Sequence, residues 1–482
     1  MQTILSIFCL MILFILSLSE HATCQSKKLT ENEIQIISDM MDKYEQMDLF
    51  SGVLLMAKDN KIVFKKAYGF ADRENKIRNK VETKFHLASV SKLFTLVAIL
   101  ELFDEGKLDM NDKIGRYLEG FSSDISDKVT VLHLITMTSG FGNYMDNEEF
   151  QKDPAVFRSV NDLIRMIRKE KLLFEPGSSE RYSNSGFVLL GGIIEKVTGK
   201  DYFEYIENTI CLPAGMNQTY FFDSSAVKNE ALGYNRNLNG EYNKVFPMFP
   251  PCPAGNAHSS AEDLLKFALK VCTTGDFLSD KAKVIFYSDF DTNYKGDWNT
   301  LKSNPKRVFG WSGGTRGIST VLRYYIGEEL SIIILSNYTN ISDEIWQNIR
   351  SIMTNGNYNE ILLPVTEKFY KAFKENGIEF IKSNFAEWTK NCTPEKSNIQ
   401  PESILNEIGY ELIREQNLQD AIAVFKLNAE LFPAKWNPFD SLGEAYMLSG
   451  NKKSAIENYE KSLKMNPENS NAFDKLKELK GE

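Results

Sequence analysis

Apolar residues recur along the chain in two rhythms, and the order in which they alternate outlines the fold. Between Glu31 and Gln46, Ile34, Ile37, Met40, Met41 and Tyr44 fall three and four residues apart, the spacing of a packing helix. Gly52 to Lys58 and Lys61 to Tyr68 are short, partly alternating runs joined at Asp59-Asn60, which predicts a β-hairpin. The helical rhythm returns with Leu93, Leu96, Val97, Leu100 and Phe103, where one face is expected to meet a core. From about Leu108 to Met248 the pattern predicts helices, among them Val160 to Lys171 and Gly186 to Val197 closed by Gly199, separated by irregular loops. Asp263 to Val271 is another helix. Arg307 to Trp311, Ser319 to Ile326 and Leu330 to Ser336 are strand-like, with a turn at Gly327-Glu328-Glu329, and Ile345 to Met353 is helical again. Strands at both ends and helices between predict an α+β domain over residues 29–355, an antiparallel sheet flanked by helices with an inserted helical subdomain.

Beyond Asn355 the pattern shifts to charged helical segments, read as a helical connector over residues 356–400 with a break from Cys392 to Pro401. The tail then repeats itself. Gly409 and Gly443, Ala421 and Ala455, Phe425 and Tyr459, and Pro433 and Pro467 are each offset by 34 residues, the period of a tetratricopeptide helix pair. Residues 401–482 are therefore expected to be all-α. Such a pair cannot hide its apolar face alone and must stack on a neighbour. Asn471 to Leu479 reads as a polar cap at one end, with Thr366 to Lys390 closing the other. The repeats serve either as a groove for a protein or peptide partner or as a helical buttress.

Composition narrows the picture. A chain of 482 residues with 43% hydrophobic content can build large cores, and its net charge of −9 is spread rather than gathered, which argues against nucleic-acid or anionic-membrane partners. Ile4 to Leu18 is an apolar run too short to span a bilayer comfortably and is read, with the residues to Cys24, as an export signal over residues 1–24. That places the protein in the periplasm or outside the cell, with no transmembrane segment after cleavage. A lipid on Cys24 and an uncleaved anchor are the alternatives. Cys211, Cys252, Cys272 and Cys392, well separated in a chain this long, are no disulfide framework, although an oxidising compartment would permit one pair that the sequence does not assign. The histidines are scattered and no metal-ligand spacing occurs, so neither a metal nor another cofactor is expected.

The candidate chemistry begins at Ser89 and Lys92. Three residues apart on a helix, their side chains share a face and can touch. A hydroxyl becomes a strong nucleophile when a neighbouring base takes its proton, and a lysine can be that base where burial holds it neutral. Ser-x-x-Lys also occurs at Ser225 to Lys228, Ser303 to Lys306 and Ser449 to Lys452, but only the Ser89 copy opens a long apolar helix. Two other stretches stand out: Tyr182-Ser183-Asn184, after a Pro-Gly turn and ahead of a buried helix, and Gly310-Trp311-Ser312-Gly313-Gly314, whose small residues let another backbone approach. The last also fits Gly-x-Ser-x-Gly, but a strand follows it rather than a helix, and no histidine follows His258.

These three elements, in this order, resemble the penicillin-recognising serine hydrolases: the class C β-lactamases, D-alanyl-D-alanine peptidases and related esterases. The resemblance covers roughly Leu29 to Met353, supported by Val131 to Gly140, Phe174-Glu175-Pro176-Gly177, Leu190 to Glu195 and Ser260 to Leu264. It implies that Ser89 is the acylated nucleophile, Lys92 its activating partner and Tyr182 a proton shuttle. Asn184, Trp311, Ser312 and Gly313 would contact substrate, and the backbone N–H groups of Ser89 and Gly314 would form the oxyanion hole. The third motif departs from the family pattern, because Trp311 stands where Lys or His is usual. A cation there would hold a substrate carboxylate, an interaction worth roughly 1.5–3 kcal/mol. The expected function is thus an exported serine hydrolase acting through an acyl-serine on an ester or amide of a small or peptide-like substrate, with weak β-lactam activity at most. The alternative is a penicillin-binding-like sensor with little turnover that uses its repeats to bind a partner.

Overall fold

The structure is a computed structural model and describes residues 29–221, 229–245, 251–273, 277–290, 294–304, 307–390 and 400–481. The expected export signal with Cys9 and Cys24, the Ser225 and Lys228 pair, Lys306 and Cys392 lie outside those residues. The chain divides into two compact units, Met1–Gly233 with Val245–Tyr358, and Tyr234–Lys244 with Asn359–Glu482.

The first unit is built on one antiparallel sheet. Its strands are β1 (Gly52–Lys58), β2 (Lys61–Tyr68), β3 (Val308–Thr315), β4 (Ile318–Tyr325) and β5 (Leu330–Ser336), in the order β2-β1-β5-β4-β3. The first hairpin turns at Asp59 and Asn60, both with positive φ (52° and 61°), a mirror-image turn that suits the twist of the flanking strands. At the centre of the sheet, segments from near the two ends of the unit meet, with Gly52 opposite Ser336 and Lys58 opposite Leu330. β1 and β5 are buried along their whole length, which explains their nearly unbroken apolar sequence.

Five long helices pack around this sheet: α1 (Glu31–Gln46), α2 (Lys92–Asp104), α3 (Asn184–Thr198), α4 (Ala261–Cys272) and α5 (Ser342–Asn355). α1 and α5 pack on one another and α5 on β4 and β5, while α4 lies on β1 and β5 and α2 touches β3. α1 starts with a capping box, Thr30 accepting from the Glu33 N–H and Glu33 reaching back to the Thr30 N–H. α2 differs from its one-faced expectation: every residue from Lys92 to Leu100 is buried, so it is a core helix enclosed on all sides. It is enclosed because α3 and the inserted helices wrap the side turned from the sheet. α3 can approach so closely because of Gly191 and Gly192. A Cβ on Gly191 would lie 2.6 Å from Cβ of Pro253, and one on Gly192 would run into Ile164.

In the second unit α6 (Val365–Thr389) is bent at Gly377, whose φ of 76° breaks the helix, and leads into α7 (Pro401–Arg414), α8 (Leu418–Leu431), α9 (Asn437–Leu448), α10 (Lys452–Met465) and α11 (Ser470–Lys480). Gly409 and Gly443 recur because the ring of the partner helix sits on each: a Cβ on Gly409 would lie 2.8 Å from Cδ1 of Phe425, and one on Gly443 3.0 Å from Cγ of Tyr459. The segment expected to close one end of the repeats contributes Phe369, Phe373, Ile381 and Phe385 to the same core as Ile404, Phe425 and Leu442. One feature differs from the sequence expectation: the pattern gave no sign of the hairpin Gly233–Arg236 and Tyr242–Val245, most of which belongs to this unit. Arg236 pairs at 2.7 Å with the buried Glu367, and Leu238 packs on the helical core. The hairpin was illegible because its few residues are mostly polar.

Candidate active site

Ser89 does not open α2. It lies in a 3-10 turn, Ala88–Ser91, that precedes the helix, and Ala88 ahead of it has a positive φ of 46°. The turn is tied down from two directions. From residues 256–257, the Ala257 carbonyl accepts from the Leu87 N–H at 2.8 Å and the Ala257 N–H donates to the Ser91 hydroxyl at 3.0 Å, while that hydroxyl donates to the Ala88 carbonyl at 2.8 Å. From the sheet, Thr320 on β4 donates to the Leu87 carbonyl at 2.8 Å. Edge strand β3 passes so close that a Cβ on Gly313 would lie 2.9 Å from the Ser89 nitrogen, so position 313 admits only glycine without displacement of the turn. Gly314, the next residue, is exposed beside it.

Lys92 is fully buried one turn on, and its Nζ lies 3.1 Å from the Ser89 hydroxyl. It also donates to the Asn184 amide oxygen at 2.7 Å and to the Ala254 carbonyl. Burial pushes its pKa down to about 7, against a smaller opposing influence from Cys252. A neutral amine has two N–H donors and one lone pair. With Asn184 and Ala254 taking the donors, the lone pair is left to face Ser89. Opposite, the Tyr182 hydroxyl lies 2.7 Å from the same serine oxygen. Burial raises the Tyr182 pKa, while hydrogen bonds from Ser89 and the Trp311 indole oppose that rise, so the phenol carries its proton at neutral pH. Lys92 Nζ sits 5.0 Å from the Tyr182 ring centroid and 5.5 Å from that of Phe187.

A model of the β-lactamase family matches residues 35–351, and a tetratricopeptide repeat model matches residues 440–469. The chain belongs to the β-lactamase family. Its hydrolase unit is thus that of a serine hydrolase. Penicillin-binding protein 4* of Bacillus subtilis (strain 168) is 30% identical over 331 residues, which cover 64% of this chain and 72% of that protein. The chain spans about half the length of other curated relatives. Among solved structures, a penicillin-binding protein from Bacillus halodurans matches with a TM-score of 0.56 and 24% identity, covering 67% of this chain and 100% of that one. EstCE1, a hydrolase with promiscuous acyltransferase activity, matches with a TM-score of 0.56 and 20% identity over 66% and 98% of the two chains.

Within this β-lactamase-family framework the three motifs converge as three separate elements. Asn184 is the first residue of α3, whose start is capped by Ser183 accepting from the Gly186 N–H at 2.9 Å; its amide spans the cleft, accepting from Lys92 and donating to Asn143 Oδ1 at 2.9 Å. Trp311 is on β3 two residues before Gly313, so both face the serine, and its ring packs edge-on against Phe187 at 5.9 Å. Ser312, between them, faces the other side of the sheet. Its hydroxyl donates to Asp343 at 2.6 Å and accepts from Arg323 at 2.7 Å, away from Ser89. The alternation of side chains along β3 is the reason.

Three contributors escaped the sequence reading. Asn143 sits after the turn Thr138–Gly142, where the strings Thr-Ser-Gly and Phe-Gly signalled a turn but no partner for Asn184. Ala254 acts through its carbonyl, which no side-chain pattern reveals. Cys252 is buried near Lys92 and shares a 3.2 Å contact with the Tyr144 hydroxyl. Pro251, Pro253 and Gly255 mark that loop as a turn, and Gly191 on α3 is the complementary signal that something packs there. Among the described residues no group of His, Cys, Asp and Glu is placed to hold a metal ion.

Proposed function

We propose that the protein is an exported esterase or amidase that forms an acyl intermediate on Ser89. The observation that carries the reading is the simultaneous approach of Lys92 Nζ (3.1 Å) and Tyr182 Oη (2.7 Å) to one serine hydroxyl. In this reading the neutral Lys92 amine takes the Ser89 proton as the serine oxygen attacks the acyl carbon. The negative charge on the former carbonyl oxygen is held by the N–H groups of Ser89 and Gly314. The leaving alkoxide or amine takes its proton from Tyr182, which is replenished from the Lys92 ammonium. A water then repeats the sequence on the acyl carbon and frees Ser89.

Trp311 narrows the substrate. An indole offers no charge to a carboxylate, so the reading favours esters and amides whose acyl side is uncharged over penicillins and free peptide carboxylates. The repeats are read as the seat of a protein or peptide partner. Initial rates on p-nitrophenyl acetate and butyrate, nitrocefin and D-amino-acid dipeptides, with Ser89→Ala beside the wild type, test the assignment. Turnover of the short esters exceeding that of nitrocefin, and lost in the variant, is expected; turnover that survives Ser89→Ala contradicts it. N-terminal sequencing of the mature protein from the cell envelope tests export, with a start at Gln25 expected and Met1 contradicting cleavage.

A further inference from the structure

Beneath the Ser89 turn lies a second polar cluster that the acyl-transfer steps do not use. The segments Phe85–His86 and His258–Ser259 pair as short antiparallel strands, with His86 directly opposite His258. The two imidazoles meet edge to face at 4.9 Å, and the His258 ring stacks on Tyr220 at 5.0 Å. Nδ1 of His258 lies 2.7 Å from the carboxylate of Glu230, whose charge also acts on the Tyr220 phenol. Both histidines are buried, and the Glu230 side chain is 10% exposed. The cluster ends on the backbone ahead of the nucleophile: His86 Nδ1 accepts from the Ala88 N–H at 3.1 Å.

That bond sets the chemistry of His86. Nδ1 can accept only if it carries no proton, so the ring is neutral with its hydrogen on Nε2. Burial and the neighbouring His258 act in the same direction, pushing the His86 pKa down to about 3. The residue it holds is Ala88, whose φ of 46° is disfavoured for a side-chain-bearing residue and persists only where the surroundings enforce it. Ala88 is bonded directly to Ser89, so its conformation aims both the Ser89 N–H and the Ser89 hydroxyl. An apolar side chain would fill the same volume without leaving a polar atom to satisfy, and four buried or nearly buried titratable groups in one place are otherwise unexplained.

We infer that His86 is a positioning residue for acyl transfer: its neutral Nδ1, braced by His258 on Glu230 and Tyr220, clamps the Ala88 amide and so orients the Ser89 turn. The catalytic half of this statement rests on the proposed hydrolase reading; the clamp itself does not. The test compares His86→Phe, which keeps a ring but removes the acceptor, with His86→Asn, whose Oδ1 is bonded to Cγ as Nδ1 is. His86→Phe is expected to lower kcat on a p-nitrophenyl ester about 10- to 100-fold with little change in KM, because small misplacements of a reacting group are that costly. His86→Asn returns kcat to within a few-fold of wild type. Hydrogen exchange at the Ala88 and Ser89 amides follows the same order, faster in His86→Phe and near wild type in His86→Asn. The inference is overturned if His86→Phe matches wild type in both readouts, or if His86→Asn is as impaired as His86→Phe, which would show that an acceptor at this position is not what holds the turn. Should His86→Phe not fold, His86→Leu, which also lacks an acceptor, takes its place with the same two outcomes. If wild-type turnover does not depend on Ser89, the hydrolase reading falls, and the exchange measurement alone decides whether His86 holds the turn.

Discussion

A lysine with no exposed surface is destabilising unless something is done with it, and Lys92 shows what the cleft does with it. Its folded pKa of about 7 lies well below its ordinary value of 10.5, so the unfolded chain binds the proton more tightly than the folded one between those limits. Folding stability therefore rises as pH rises from 7 towards 10.5, and below pH 7 the burial is at its most costly. Lys92→Met removes this penalty together with the base. Turnover is expected to fall about 100- to 10,000-fold. The stability advantage of the variant over wild type, measured by urea unfolding, should shrink by about 2–3 kcal/mol between pH 6 and pH 9. An advantage that does not change with pH would mean Lys92 is not neutralised by burial. The same pKa predicts that kcat/KM on an uncharged ester rises with pH through an inflection near 7, as the Lys92 amine loses its proton. It should then stay level until Tyr182, whose pKa is raised, begins to ionise. At Trp311 the expected change is in specificity: Trp311→Lys supplies the missing cation and should tighten penicillin acylation about ten- to 150-fold, read as the second-order rate of labelling by a fluorescent penicillin.

At the scale of elements, the site depends on how closely one edge strand, one turn and one helix start can approach. Gly313 sets the first of these distances. In Gly313→Ala the new methyl would lie 2.6 Å from the Thr320 hydroxyl and 2.9 Å from the Ser89 nitrogen, so either β3 or the turn must move. Esterase activity should drop at least tenfold while far-ultraviolet circular dichroism stays that of wild type; full activity would show that the turn tolerates the displacement. Much of this level was legible in the chain. The hairpin at Asp59-Asn60, the three late strands and α1, α3, α4 and α5 follow from period-two and period-3.6 patterns, with ends shifted by a few residues. The 3-10 turn at Ser89 was not legible, because Ala-Ser-Val-Ser reads as a helix start and only tertiary ties from Ala257 and Thr320 hold it otherwise. The one-sided burial expected of α2 failed for a similar reason. Periodicity reports the apolar face towards the sheet, whereas burial of the other face depends on Gly191, Gly192 and the loop they admit.

On the scale of the whole chain, two units follow different rules of construction. The first joins β1 to β5 across nearly three hundred residues of intervening chain, whereas the second stacks helix pairs on their neighbours. Its 34-residue period was readable because each pair needs a glycine under an aromatic ring. The contribution of the 234–244 hairpin to that unit was not, since it is joined by packing rather than by repetition. Gly409→Ala places a methyl 2.8 Å from Cδ1 of Phe425 and closer still to Cε1 and Cζ, and should destabilise the second unit by about 1–3 kcal/mol, seen as a lower midpoint of helix melting. The three motifs that meet at Ser89 were legible as strings, but Asn143, the Ala254 carbonyl and His86 became visible only through the contacts they make. The account turns on Ser89 being acylated, and intact-mass and peptide mapping of the full chain after reaction with a fluorophosphonate tests this most directly. It predicts a single adduct on the peptide containing Ser89, blocked in both Ser89→Ala and Lys92→Met; an adduct elsewhere, or none at all, would contradict it.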